Sequence, residues 1–312
     1  MRVAVLDIGT NTVLLLIADV EGKAIHVIRD DHAIARLGEG VDRAHKISEE
    51  AFQRFLAVMR THIGTIRSFN ADYVVAVGTS ALRDAENREE IVRRTTEETG
   101  IQIEILSGEE EARWTYRGAL AQIYPQSSPW KGEGVIAVVD IGGGSTEISV
   151  GNGDTFESGV SLDIGAVRLT ERFFSSTLSV DSIEKARLFI RAALDHPPTP
   201  SLKRRGGIGM LIAVAGTPTT LAAMHQGLRA FDAAKVHGYV LNRQDIEQML
   251  EMLFSVSTAT LLQRFPAVNK SRADILPAGT LILAEVMEYL GAEQIIVSTQ
   301  GLRYGIALRE SA

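Results

Sequence analysis

Val135, Ile136, Val138 and Val139 form an apolar run that ends at Asp140, the pattern of a strand covered on both faces. Gly142, Gly143 and Gly144 follow. Without Cβ atoms the chain turns sharply there, and successive N–H groups can converge on an anion. Ser145 and Thr146 add hydroxyl donors, and Glu147 and Ser149 then alternate with Ile148 and Val150, so a half-buried strand resumes. The unit reads strand, phosphate turn, strand. Val3 to Val20 repeats it, with an apolar run, Asp7, Gly9, the donors Thr10, Asn11 and Thr12, and a second strand. Aligning Asp7-Ile8-Gly9 with Asp140-Ile141-Gly142 gives an offset of 133 residues, and setting Gly78-Thr79 on Gly216-Thr217 gives 138. Two different motifs repeating at nearly one spacing predict an internal duplication, with two similar domains facing each other across a cleft.

The same reading places the other elements. Ala24 to Arg29 is predicted as a third strand. Ser48 caps a helix whose Phe52, Phe55, Leu56, Met59, Ile63 and Ile66 recur at helical spacing. Tyr73 to Val77 is a buried strand that delivers Thr79, Ser80 and Arg83 to its carboxyl end, where open α/β sheets bind ligands. Arg83 reads either as a phosphate ligand or as a surface partner of Asp84 or Glu86. Ile101 to Leu106 is a strand, and Ser107 with Glu110 forms a capping box for the next helix. Glu111 lies one residue beyond the box; it is either a working carboxylate or a solvated first-turn acid.

Tyr124 to Gly134, rich in Pro, Ser and Gly, reads as the linker. Ser161 to Phe174 is predicted as turn and helix, and Asp181 with Glu184 as a second capping box. Asp195 to Gly207 is a loop whose Lys203, Arg204 and Arg205 are either solvated or meet a long anionic substrate. Gly216, Thr217 and Thr220 close the strand Met210 to Val214. Asn242 begins a helix, Ser271 to Leu290 is helical with a bend or restart at Pro277, and Ile295 to Val297 is the last strand before a final helix.

At 312 residues the chain can build two cores. Its 45% hydrophobic and 23% charged content is that of a globular protein. There is no cysteine, hence no disulfide framework or thiol chemistry. Asp7 interrupts the first apolar segment and no signal-peptide cleavage pattern follows, so a cytoplasmic location is expected. No apolar run approaches membrane-spanning length. A net charge of −7 argues against DNA as a partner; a polyanion would need donors focused in one cleft.

With Asp7-Ile8-Gly9-Thr10-Asn11 and Asp140-Ile141-Gly142-Gly143-Gly144-Ser145-Thr146-Glu147 the chain resembles the actin, Hsp70 and sugar kinase superfamily. Gly78-Thr79-Ser80-Ala81-Leu82-Arg83-Asp84-Ala85, Ser107-Gly108-Glu109-Glu110-Glu111-Ala112-Arg113, Lys235-Val236-His237-Gly238 and Gly301-Leu302-Arg303 narrow it. Together they resemble the Ppx/GppA family of exopolyphosphatases and guanosine pentaphosphate phosphatases, over nearly the whole chain and in order.

The resemblance implies an α/β fold of two duplicated ribonuclease H-like (actin-like ATPase) domains flanking a cleft, here residues 1–126 and 133–300, with the final helix, 301–312, a candidate to join the first. It implies a cytoplasmic hydrolase that removes the terminal phosphate of inorganic polyphosphate or, alternatively, of pppGpp in the stringent response. The cofactor would be Mg²⁺ or another divalent cation such as Mn²⁺. By position, Glu111 matches the catalytic general base, and Asp140 and Glu147 match metal-associated carboxylates. Asp7, Thr10, Asn11, Thr79, Gly143, Gly144, Ser145, Gly216 and Thr217 would line the phosphate path, with Arg83 and Arg272 as charge partners. For His237 and Arg303, contact and scaffold both stay open, as does a homodimer.

Two departures stand out. Longer relatives append a helical HD-type domain, whereas this sequence stops at Ala312, so short substrates or weaker processivity are expected. The second phosphate loop reads Ala215-Gly216-Thr217-Pro218, where many relatives place two glycines before the threonine. From other classes, a kinase of the same superfamily would need an acceptor pocket, and a filament protein would polymerise with nucleotide.

Overall fold

The computed structural model describes residues 1–121, 123, 134–175, 178–195 and 207–311. The chain divides into two compact units, Met1–Ala121 with Leu302–Ala312, and Gln122–Gly301.

In the first unit, β1 (Arg2–Ile8), β2 (Thr12–Glu21), β3 (Ala24–Ile34), β4 (Tyr73–Gly78) and β5 (Ile103–Ile105) form one sheet in the order β3-β2-β1-β4-β5. The first three strands are antiparallel and joined by short turns. β4 and β5 add in parallel, which demands the longer, helix-bearing crossovers that precede them.

Alternation along β1 assigns the two faces of this sheet. Ala4, Leu6 and Ile8 pack with Phe52, Phe55, Leu56 and Met59 of the helix Glu49–Ser68. That helix starts as predicted, with the Ser48 side chain accepting from the Ala51 amide. Val3 and Val5 pack instead with Leu302, Tyr304, Ile306 and Ala307 of the final helix, Leu302–Glu310. Asp7 is the next residue in the Val3, Val5 alternation, so it belongs to the face that the final helix covers.

The second unit contains β6 (Val135–Ile141), β7 (Thr146–Asn152), β8 (Thr155–Leu162), β9 (Ile208–Val214), β10 (Val240–Asn242) and β11 (Gln294–Val297), in the order β10-β11-β9-β6-β7-β8. Taken from β8 inwards, β8-β7-β6-β9-β11 has the same two antiparallel and two parallel pairings as β3-β2-β1-β4-β5. β10 is an added antiparallel edge. The duplication is therefore one of topology as well as motif, and the fold is α/β with two ribonuclease H-like sheets. The core of the second unit joins Ala137, Val139 and Ile141 on one face of β6 to the helix Leu276–Leu290.

Several local expectations change. β3 runs on to Ile34, and β5 is only three residues long. Ser161 and Leu162 end β8 rather than start a turn. β7 is buried along nearly its whole length, Glu147 and Ser149 included, so its polar face is not a solvent face. The helix Val180–Asp195 is capped by Ser179 and Ser182, each amide donating to the other's hydroxyl at 3.0 and 3.1 Å. Asp181 instead pairs with Lys185 across one turn. Pro277 falls in the first turn of the helix Leu276–Leu290, which begins there rather than bending. Except for Gly134, Asp195 and Gly207, the expected linker and the loop 195–207 lie outside the described residues. Among the described residues no helix is long and apolar enough to cross a membrane.

The final helix crosses the helix Gly108–Leu120 at Gly305, where an added Cβ would overlap the Trp114 carbonyl. Gly305→Ala is expected to cost about 1–3 kcal/mol through this overpacking, read as a lower midpoint in thermal melts followed by circular dichroism.

Candidate active site

The two glycine turns share one construction. In the first, the Gly9 amide donates to the Thr12 carbonyl at 3.0 Å; in the second, the Gly142 amide donates to the Ser145 carbonyl at 3.0 Å. In each, a neighbouring segment takes up the turn's carbonyls. Ala35 and Arg36 donate to the Asn11 carbonyl and Gly38 to that of Thr10. Ala166 donates to Gly142, Val167 and Arg168 donate to Gly143, and the Arg168 Nε donates to Gly144 at 2.7 Å. These segments come close enough to demand glycine, since a Cβ at Gly38 would overlap Thr10 and one at Gly165 would overlap Gly143 and Gly144. With the carbonyls turned to one side, the amides of Thr10, Asn11, Gly143 and Gly144 donate to no protein group among the described residues. A row of such donors is an anion cradle.

In the first unit the carboxyl end of β4 is tied to β1. Both the amide and the hydroxyl of Thr79 donate to the Ile8 carbonyl, at 3.1 and 3.3 Å. One turn on, the Arg83 guanidinium donates to Glu111 at 2.8 Å and to the Leu106 carbonyl at 3.1 Å. The partner is thus 28 residues away, beyond the local partners weighed for Arg83. The Ser107–Glu110 capping box forms in full and points the next residue inwards. Glu111 is only 6% exposed, so the solvated first-turn reading fails. A buried carboxylate held by a guanidinium at a helix N-terminus is an oriented proton acceptor.

In the second unit, β9 passes through Ala215 into the helix Gly216–His225. Ala215 has φ 75° and ψ −166°, a region that in practice only glycine occupies without strain. The departure from a double glycine therefore carries a backbone penalty. A Cβ at Gly216 would overlap the Arg272 guanidinium, and one at Gly279 would overlap Thr217. The structure thus brings Arg272 against Gly216 and packs the helix Leu276–Leu290 against Thr217.

Asp140 and Glu147 face each other across β6 and β7. Glu147 is 2% exposed and accepts from the Ser161 hydroxyl at 2.5 Å. Their counterparts in the first unit are Asp7 and Leu14, so only the second unit has an acid pair. Two adjacent carboxylates supply the hard oxygens that Mg²⁺ prefers. No group of three or more His, Cys, Asp or Glu side chains that could hold a metal occurs among the described residues, so most of a cation's shell there would be water or substrate.

Burial pushes the Asp7 carboxyl up to about 6, against the opposing field of Arg303. Arg303 is 5% exposed and paired with Asp30, to which the Tyr304 hydroxyl also donates at 3.1 Å. Burial alone would raise Asp30, but the His32 hydrogen bond and Arg303 bring it down to about 2. Arg303 is thus an anchor of the final helix. His237 accepts from the Thr299 amide at 3.3 Å and burial lowers its pKa; it supports the Ser298–Gly301 loop. From sequence Gly38 reads only as part of a Gly38-Glu39-Gly40 turn, and nothing marks Gly165 or Gly279, because their signal is contact rather than motif.

A sequence model of the Ppx/GppA phosphatase family matches residues 16–311. The chain belongs to that family. Exopolyphosphatase 2 of Mycobacterium tuberculosis is 34% identical over 325 residues, covering 98% of this chain and 98% of the relative. A crystal structure of the Aquifex aeolicus Ppx/GppA family member aligns with TM-score 0.80 at 32% identity, over 100% of this chain and 97% of that one. An exopolyphosphatase from Cytophaga hutchinsonii aligns with TM-score 0.88 at 27% identity, over 99% and 97%. Membership of the Ppx/GppA family makes the chain a phosphatase.

Two stability experiments follow from this geometry. Ala215→Gly removes strain of about 1–3 kcal/mol and adds unfolded-state entropy of about 0.4–1 kcal/mol. A net gain of about 1 kcal/mol is expected, seen as a rise in Tm of roughly 2–4 °C. For Asp7, a folded pKa of about 6 against 3.8 means that the folded state binds the proton more tightly. Stability is unaffected below 3.8, falls as pH rises to about 6, and above that carries a cost of up to about 3 kcal/mol. Asp7→Asn is expected to raise the Tm of the metal-free protein at neutral pH, with the gain vanishing near pH 4, as pH-dependent melts would show.

Proposed function

We propose that this chain is an exopolyphosphatase, which cleaves the terminal phosphoanhydride bond of inorganic polyphosphate and releases orthophosphate. The full-length likeness to proteins named exopolyphosphatase supports the substrate. The observation that carries the chemistry is Glu111, buried, oriented by its capping box and held by Arg83.

In this reading water attacks the terminal phosphorus in line and the bridging oxygen leaves with the shortened chain. Glu111 accepts the proton lost by the water. Asp140 and Glu147 would hold the divalent cation, which supplies charge neutralisation at the phosphoryl oxygens. The amides of Thr10, Asn11, Gly143 and Gly144, with Ser145, Gly216, Thr79 and Thr217, take phosphate oxygens. Arg83 and Arg272 add positive charge. Asp7, at the end of β1, lines the phosphate path.

The deciding experiment is orthophosphate release with Mg²⁺ from short polyphosphate, long polyphosphate and pppGpp in parallel, with Glu111→Gln as control. Release from polyphosphate is expected to exceed that from pppGpp. Glu111→Gln is expected to fold and bind substrate normally but to turn over roughly a hundredfold or more slowly, as for loss of a general base. Turnover at the wild-type rate would remove Glu111 from the mechanism.

A further inference from the structure

After β11 the chain makes a tight turn at Ser298–Gly301. The Ser298 amide donates to the Ala213 carbonyl at 2.9 Å, which fastens the turn to β9. The Ser298 hydroxyl then donates to the Gln300 carbonyl at 2.9 Å and accepts from the Gln300 amide at 3.1 Å. The backbone of Gln300 is therefore locked, and its residue is 4% exposed. Its side-chain Oε1 is nonetheless buried without a hydrogen-bond partner among the described residues. An acceptor left in that state costs free energy unless something outside the protein donates to it.

The position of the turn indicates what that donor is. A methyl group built at Gly301, the next residue, would lie 3.9 Å from Asp140 Oδ2 and 3.7 Å from Val214 Cγ2. β6, β9 and β11 run parallel, so Asp140, Val214 and this turn share their carboxyl ends, where α/β sheets place ligands. A Mg²⁺-type ion taken by two carboxylates keeps several waters, and each water brings two O–H donors that need acceptors.

We propose that Gln300 is a positioning residue whose Oε1 accepts a hydrogen bond from water bound to the divalent cation at Asp140 and Glu147. This rests on the reading of those two carboxylates as the cation site. Nothing in the sequence motif singled out Gln300; only its burial with an idle acceptor, one residue before the glycine that approaches Asp140, does.

The test is a Mn²⁺ titration of the full chain without substrate, with free Mn²⁺ followed by electron paramagnetic resonance. Gln300→Met keeps the volume and removes the acceptor. It is expected to weaken Mn²⁺ binding roughly tenfold or more, the usual effect of losing a group that hydrogen-bonds a metal's ligands. Gln300→Glu keeps an acceptor and adds charge, and is expected to bind at least as tightly as the wild type. The latter also serves as the readout if Gln300→Met fails to fold, because weakened binding by Gln300→Glu would overturn the proposal. Wild-type affinity in Gln300→Met, with binding lost in Asp140→Asn, would overturn it and leave the cation site standing, Oε1 then serving a structural water only. Equal binding by the wild type and Asp140→Asn would overturn both.

Discussion

A turn that leaves its N–H groups unclaimed on one side has to satisfy its carbonyls on the other. The rest of this structure depends on that requirement being met twice. Gly9 and Gly142 close the two turns with identical amide-to-carbonyl bonds, and the segments around Gly38 and Gly165 approach from behind to occupy the carbonyls. Neither approach tolerates a Cβ. The sheets exist to hold these turns, because each turn grows from the carboxyl end of a strand whose alternate residues are locked into a core.

The two units use the same scaffold for different chemistry. In the first, the acid at the end of β1 is opposed by Leu14, and burial raises its pKa; the buried carboxylate held by a guanidinium is Glu111, carried by the helix after β5. In the second, the acid at the end of β6 is opposed by Glu147, and the turn after β11 carries a neutral amide. Duplication followed by divergence at a handful of facing positions thus gives one unit a buried carboxylate held by a guanidinium and the other a facing pair of acids. Ala215 occupies glycine's backbone region where β9 enters its helix, a local cost that the surrounding packing has to offset.

Much of this was legible in the sequence. Apolar runs ending at Asp7 and Asp140, glycine turns, hydroxyl donors and the Ser107–Glu110 box are local patterns, and local patterns determine strands, turns and caps because they act through backbone conformation and near neighbours. The repeat spacing carried the duplicated topology, and the motif order carried the family.

What the tertiary structure alone decided is every relation between residues far apart in the chain. A first-turn glutamate is solvated by default; Glu111 is buried and bound to Arg83 because β4 and the helix after β5 end side by side. The alternation of β7 suggested a solvent face, but Glu147 and Ser149 are enclosed, and Ser161 completes the Glu147 hydrogen bond from a strand read as a turn. Gly38, Gly165 and Gly279 look like ordinary glycines until the segment each touches is known. Gln300 carries no motif at all. Its significance comes from a buried, unsatisfied acceptor in the turn whose Gly301 approaches Asp140, a property of packing that no spacing along the chain encodes.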